Sequence, residues 1–159
     1  MDELHGQAPV STFEAPASMD HWEAFNEFVD LQADQFLGPG KRNYSLRLAC
    51  EELLSNMIRH STDGDISRQV TIYISSYLVD TTTEGRSLLI QIQDNAPHFD
   101  PNLDEDRVVD RNMPVTHRPI GGLGLFLVQQ SVDRVEYDWV NHMNRYRLYV
   151  DIDTSSEPA

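Results

Sequence analysis

The period of the apolar positions changes several times along the chain, and each change marks an element. Trp22, Phe25, Val29 and Phe36 recur at helical spacing. Asp20 and Glu23 precede or open that run as a capping box, so a first helix is expected over roughly 20–37. Gly38-Pro39-Gly40 stops it. A second helix is expected from about Asn43 to His60, with Leu46, Cys50, Leu53 and Met57 on one stripe. A turn at Thr62-Asp63-Gly64-Asp65 follows. Val70, Ile72 and Ile74 then alternate with Thr71, Tyr73 and Ser75, the pattern of a half-buried strand. After a polar hairpin loop at 81–85, Leu88, Ile90 and Ile92 alternate again in a strand that ends at Asp94.

From 95 to 119 the periodicity is lost. Pro97, Pro101, Pro114, Pro119 and an acidic run at 104–106 fill this stretch. A connection this long inside one domain is usually functional or mobile. Glycines at 121, 122 and 124 open a third helix through about Val132. Two closing strands follow, with Val135, Tyr137 and Trp139 alternating in one and Tyr146, Leu148, Val150 and Ile152 in the other. Asn141 to Asn144 form their turn. Trp22 and Trp139 lie on apolar faces and are expected in the core. Hairpins clustered beside helices argue an α+β fold, a two-layer sandwich whose mostly antiparallel, mixed sheet is covered on one face by helices. The expected organisation is a flexible N-terminus at 1–9, one domain over 10–153 and a flexible tail at 154–159.

Composition narrows the function. A length of 159 residues suits one domain with a core of its own. The formal net charge is −14, which repels phosphate backbones and anionic lipid, so neither nucleic acid nor a membrane surface is an expected partner. The same field opposes a bound nucleotide unless backbone N–H groups, a metal or local cations offset it. The single cysteine, Cys50, sits among Leu48, Ala49 and Leu53 and reads as a small buried apolar residue. One thiol, no apolar run of membrane-spanning length and no basic-then-apolar leader together point to the cytoplasm.

Three short motifs carry candidate chemistry. On the second helix, Glu52 and Asn56 lie four apart and share a face distinct from the apolar stripe. An amide oxygen suits Mg²⁺, and a carboxylate beside it can take a proton from a nucleophile. Taken alone, the pair also reads as two solvated residues on a helix surface. Asp94 ends an apolar strand, where its carboxylate can accept the exocyclic amine of adenine, or can simply begin a turn. Ile120-Gly121-Gly122-Leu123-Gly124-Leu125 opens a helix, where backbone N–H groups and the helix dipole favour a phosphate. No Gly-Lys-Ser/Thr follows, so it is not a Walker loop. Alone it also reads as a hinge.

In this order, with a long loop between the second and third, the motifs resemble the sequence boxes of the GHKL (Bergerat-fold) ATPase superfamily. The closer resemblance is to its anti-sigma factor serine/threonine protein kinase branch. It rests on Glu52-Leu53-Leu54-Ser55-Asn56 with His60, on Asp94-Asn95-Ala96-Pro97-His98-Phe99-Asp100-Pro101, and on Gly121-Gly122-Leu123-Gly124-Leu125-Phe126-Leu127-Val128. The match in order and type covers about Leu46 to Ile152.

The resemblance implies ATP and Mg²⁺ as ligands. Asn56 would ligate the metal, Glu52 would be the general base, and Asp94 would bind adenine with Ala96 beside it. Gly121, Gly122, Leu123, Gly124 and Leu125 would approach the phosphates under a lid at about 100–119. Within the lid Arg118 is a candidate phosphate contact. Two positions depart from the family pattern: Ala96 stands where glycine is usual, and Ile120 replaces the first glycine of the third box. The implied partners are a STAS-domain anti-sigma factor antagonist as phosphoacceptor, a sigma factor, and a second copy of the chain. The alternative is a non-catalytic nucleotide-binding module that sequesters a partner without phosphoryl transfer. The presence of Glu52 favours the kinase.

Overall fold

The computed structural model describes residues 4, 6–61, 69–80, 85–99 and 122–152, and for 122–125 the backbone alone. Strand β1 (Ser11–Pro16) leads through a single 3₁₀ turn (Met19–His21) into α1 (Trp22–Leu37). Next come α2 (Lys41–His60), β2 (Thr71–Asp80), β3 (Arg86–Asp94), α3 (Gly122–Ser131), β4 (Arg134–Val140) and β5 (Met143–Ile152). The expected α+β sandwich is the one observed. Five strands form one sheet in the order β1-β2-β3-β5-β4, and every neighbouring pair is antiparallel.

Alternate residues of a strand face opposite sides of the sheet, and here the two sides meet different partners. One row, including Ile72, Ile74, Leu88, Ile90, Ile92, Tyr146, Leu148 and Val150, packs under the helices. Above it lie Phe25, Val29 and Ala33 of α1, Leu46, Ala49, Cys50, Leu53, Leu54 and Met57 of α2, and Val128 of α3. Helix α2 touches both α1 and α3, and α3 also reaches β4. One polar pair is built into this layer: the Ser76 hydroxyl donates to Gln32 Oε1 at 2.7 Å, tying β2 to α1. Burial pushes the Cys50 thiol up to about 12, helped by the nearby charges of Asp30 and Glu51, so it is a packing residue and not a nucleophile.

Several local expectations change. The first helix is not entered through an Asp20–Glu23 box. Ser18 is the capping residue: its Oγ accepts from the Asp20 N–H at 3.1 Å, and its carbonyl accepts from His21 N–H at 3.0 Å. Asp20 itself lies in the 3₁₀ turn, which inserts one tight turn before α1 begins at Trp22. Trp139 is not a core residue. It is 37% exposed near the end of edge strand β4 and packs on the His98 ring at 4.8 Å. Within the expected flexible stretch 1–9, Leu4 is buried against Tyr77, Val79, Leu89 and Tyr149 on the helix-free side of the sheet. Gln7 Nε2 donates to the Leu78 carbonyl at 2.8 Å, which holds that contact in place. The tail at 154–159 lies outside the described residues.

Two corners need special backbone. Gly38 and Gly40 take φ of 68° and 136° between α1 and α2, a region L side chains avoid. The buried Asn43 amide closes that corner by donating to Gly38 O and Asp34 Oδ1. At the other end of the molecule, Asn141 and His142 both have positive φ, 54° and 62°, between the paired Val140 and Met143. That is a two-residue type I′ hairpin, the turn whose twist matches the strands it joins.

Candidate nucleotide site

The site assembles at one end of the sheet, where β3 stops. In the strand register Asp94 stands opposite Ile72 of β2 on one side and Asn144 of β5 on the other. Two residues back, the row Ile74, Ile92, Tyr146 belongs to the helix-covered core. Asp94 and Asn144 therefore end that same row, with their side chains on the helix side of the sheet.

Asp94 is 4% exposed. Its Oδ1 accepts from Asn144 Nδ2 at 2.8 Å and from the Ala96 N–H at 3.2 Å. Both donors hold the carboxylate in one orientation. An ionised carboxylate is acceptor-only, which is the chemistry an exocyclic amine requires. Asn144 is the hub. Its Oδ1 accepts from Tyr137 OH at 2.6 Å and from the Phe99 N–H at 3.0 Å, while Nδ2 also reaches Pro97 O at 3.1 Å. The next residue, Asn95, is used differently: its Oδ1 accepts from the Thr71 N–H at 2.8 Å and closes the β2 side. Ala96 is 6% exposed and is not among the described residues with positive φ, so its methyl sits without backbone strain where the family pattern has glycine.

The segment after Asp94 is pinned between two walls. Phe99 stacks on His60 of α2, with ring centroids 5.4 Å apart and planes 17° from parallel. On the other side His98 stacks against Tyr137 and meets Trp139 of β4 at a tilt of 36°. These contacts bring the last turn of α2 to the end of β3. Asn56, one turn before His60, is 8% exposed, and its Oδ1 accepts from Arg59 Nη2 at 2.9 Å. Glu52 is half-buried one turn further back on the same side of the helix. Gly122, Leu123, Gly124 and Leu125 form the first turn of α3, a helix that packs on α2. Gly121, Arg118 and the expected lid at 100–119 lie outside the described residues.

Residues 15–149 match the family described as histidine kinase-like ATPase domain. The chain belongs to that family. Within it, this ATPase domain is similar to serine-protein kinases RsbW. Identity is 32% over 93 residues with the Bacillus cereus protein, covering 57% of this chain and 53% of that one. The Bacillus mycoides and Bacillus anthracis proteins are 30% identical over the same length. The chain thus spans about half the length of the curated relatives it matches. The similarity falls on the anti-sigma factor kinase-like branch, as the motifs around Asn56, Asp94 and Gly122 imply.

Two features of the ATPase domain bear on its ligand. A cleft of about 370 Å³ runs along α1, but Glu23, Glu27, Asp30, Asp34 and Glu51 line it, and none of the nucleotide-motif residues does. Its charge disqualifies it for a phosphate. Asn144 is the one site residue that sequence reading placed only in a turn. Its signal was faint: a polar residue opening a strand whose other members Tyr146, Leu148 and Val150 are buried. Among the described residues no helix is long and apolar enough to cross a membrane.

Proposed function

We infer that this chain is an ATP-binding serine/threonine protein kinase of the anti-sigma factor type, which transfers a γ-phosphoryl group to a hydroxyl on a STAS-domain antagonist protein. The observation that supports this reading is that half-buried Glu52 and buried Asn56 share one side of α2, whose last turn meets the segment after Asp94 through the His60–Phe99 stack. A carboxylate at Glu52 favours the kinase over a non-catalytic nucleotide holder. Asp94 receives the adenine amine. The backbone N–H groups opening α3 receive phosphate oxygens, where the helix dipole offsets part of the chain's negative field. Glu52 accepts the proton of the attacking hydroxyl.

Asn56 offers an amide oxygen of the kind that suits Mg²⁺, which typically completes its shell with phosphate oxygens and water, so the residues present fit the ion. When bound, Mg²⁺ supplies neutralising charge on the phosphates. The names of the similar proteins, serine-protein kinases, support the reaction class. A STAS-domain antagonist as acceptor, a sigma factor as sequestered partner and assembly as a homodimer belong to the same proposal. Their support is the resemblance of the three motifs to the anti-sigma branch.

The test is transfer of radiolabel from γ-labelled ATP to a purified STAS-domain protein, paired with titration calorimetry of ATP binding. Label on the acceptor supports the kinase. ATP binding without transfer to a partner that the chain demonstrably holds leaves the sequestering module instead. In the same calorimetry, Asn56→Ala is expected to blunt the gain in affinity that magnesium gives the parent. An unchanged magnesium dependence would remove Asn56 from the metal's shell.

A further inference from the structure

Asn144 takes a hydroxyl partner from edge strand β4, outside all three motifs. In the register of β4 with β5, Trp139 stands opposite Asn144 and Tyr137 opposite Tyr146. Tyr137 therefore reaches Asn144 along the diagonal, a span that an aromatic side chain covers. Its hydroxyl donates to Asn144 Oδ1 at 2.6 Å. The ring is held by two neighbours. Tyr146 of the core lies 5.0 Å away between centroids, and His98 stacks at 6.4 Å with planes 7° from parallel. The hydroxyl is thus fixed before any ligand arrives. It acts on an amide with one allowed orientation. The Phe99 N–H can only donate, so it requires Oδ1 on its side. That turns Nδ2 towards two acceptors, Asp94 Oδ1 at 2.8 Å and Pro97 O at 3.1 Å. Tyr137 and Phe99 together fill both lone pairs of the Asn144 carbonyl. An amide so polarised is a stronger donor on its nitrogen side, and a buried network of this kind is worth most when every member is paired.

We propose that Tyr137 is a positioning residue for the adenine acceptor: its hydroxyl holds the Asn144 amide, and through that amide sets the direction in which buried Asp94 presents its carboxylate. This rests on the nucleotide reading above and extends it to a strand that none of the motifs touches. Tyr137 acts at one remove, so its signature is coupling to Asp94 and not a separate contact with nucleotide. The base senses only how firmly Asp94 is aimed. A carboxylate free to turn accepts the amine of adenine less well. It also rejects the carbonyl of guanine less firmly, because it can rotate away from it. The hydroxyl therefore bears on base selectivity as well as on affinity.

The experiment is titration calorimetry of the full chain with ATP and with GTP in excess Mg²⁺. It compares the parent, Tyr137→Phe, Asp94→Ala and the double variant, at a temperature that thermal melting places below every midpoint. Phenylalanine keeps the ring and its packing and removes only the hydroxyl. Tyr137→Phe is expected to weaken ATP binding by about two- to ten-fold, the usual range for one hydrogen bond, and to narrow the preference for ATP over GTP. In the Asp94→Ala background the same change should cost nothing further, because the group through which Tyr137 acts is gone. A merely structural tyrosine would weaken ATP and GTP alike, and by the same factor in both backgrounds. Either that additive result or parental ATP binding by Tyr137→Phe overturns the proposal while leaving the nucleotide site standing. An Asp94→Ala variant that binds ATP like the parent, or a parent that binds no ATP, overturns the proposal and the nucleotide reading together.

Discussion

Replacing Glu52 by Gln is expected to cut phosphoryl transfer by roughly 10²–10⁴, the usual worth of a positioned general base, while leaving ATP affinity nearly unchanged. Glutamine keeps the shape, the hydrogen-bonding reach and the helix propensity of glutamate, so α2 and its packing on α1 and α3 should survive. What it loses is the ability to take a proton. Half-burial sharpens the effect, because bulk water is a poorer substitute base where solvent is partly excluded. The neighbouring Glu51 is the internal control. It is exposed and projects about 100° round the helix from Glu52, so Glu51→Gln should transfer phosphate like the parent. Rates from single-turnover transfer to a STAS-domain acceptor, with calorimetric ATP affinities alongside, decide the matter. A Glu52→Gln protein that transfers at the parental rate would remove the general base and leave positioning alone as the source of catalysis.

The second large effect is expected at Asp94. Asp94→Ala should lower ATP affinity by roughly 10–100-fold, since a hydrogen bond to a charged acceptor is worth about 1.5–3 kcal/mol. The loss should be greater than that of any surface carboxylate, because Asp94 is 4% exposed and pre-aimed by two N–H donors. Asn144 would keep Pro97 O, Tyr137 OH and the Phe99 N–H as partners, so the hairpin should hold its geometry. Calorimetry with ATP against GTP adds a second reading. An acceptor carboxylate favours the amine of adenine over the carbonyl of guanine, and Asp94→Ala should erase that preference along with the affinity. Parental binding by the variant would mean that adenine sits elsewhere.

Much of this was legible in the chain. The stripe Leu46, Cys50, Leu53, Met57 is buried as its spacing implies, and the alternations in β2 and β3 set the helix-facing row that ends at Asp94. Local patterns report local geometry, and both motifs on α2 and β3 are local. What stayed hidden depends on residues far apart in sequence. Asn144 becomes a site residue only through its register opposite Asp94, and no turn rule carries that information. The burial of Leu4 needs Tyr77, Val79, Leu89 and Tyr149 from three strands, so composition alone left residues 1–9 as a loose end. Strand β3 shows the limit of period-two reading. Ser87, Leu89 and Gln91 face away from the helices and are nonetheless buried, because a central strand is covered by its neighbours' side chains on both sides. The Ser18 cap was missed for a smaller reason: an inserted 3₁₀ turn shifts the helix start past the residues that spelled a capping box.

The bond from Asn144 to Asp94 joins residues 50 positions apart. β2 and β3 form a local hairpin, but β5 reaches β3 only after α3 and β4 have been threaded between them. Closing such a long loop costs entropy before it returns contacts, so this pairing is expected to form after the local β2–β3 hairpin. The proposed adenine acceptor is thus incomplete in any intermediate that lacks β5, because Asn144 is absent from Asp94. A ligand that needs the complete site cannot hasten the steps before it exists; it acts on the escape from the native state. If nucleotide binds here as proposed, it is expected to be a brake on unfolding and not a guide to folding, so the folded chain should live longer as ATP rises.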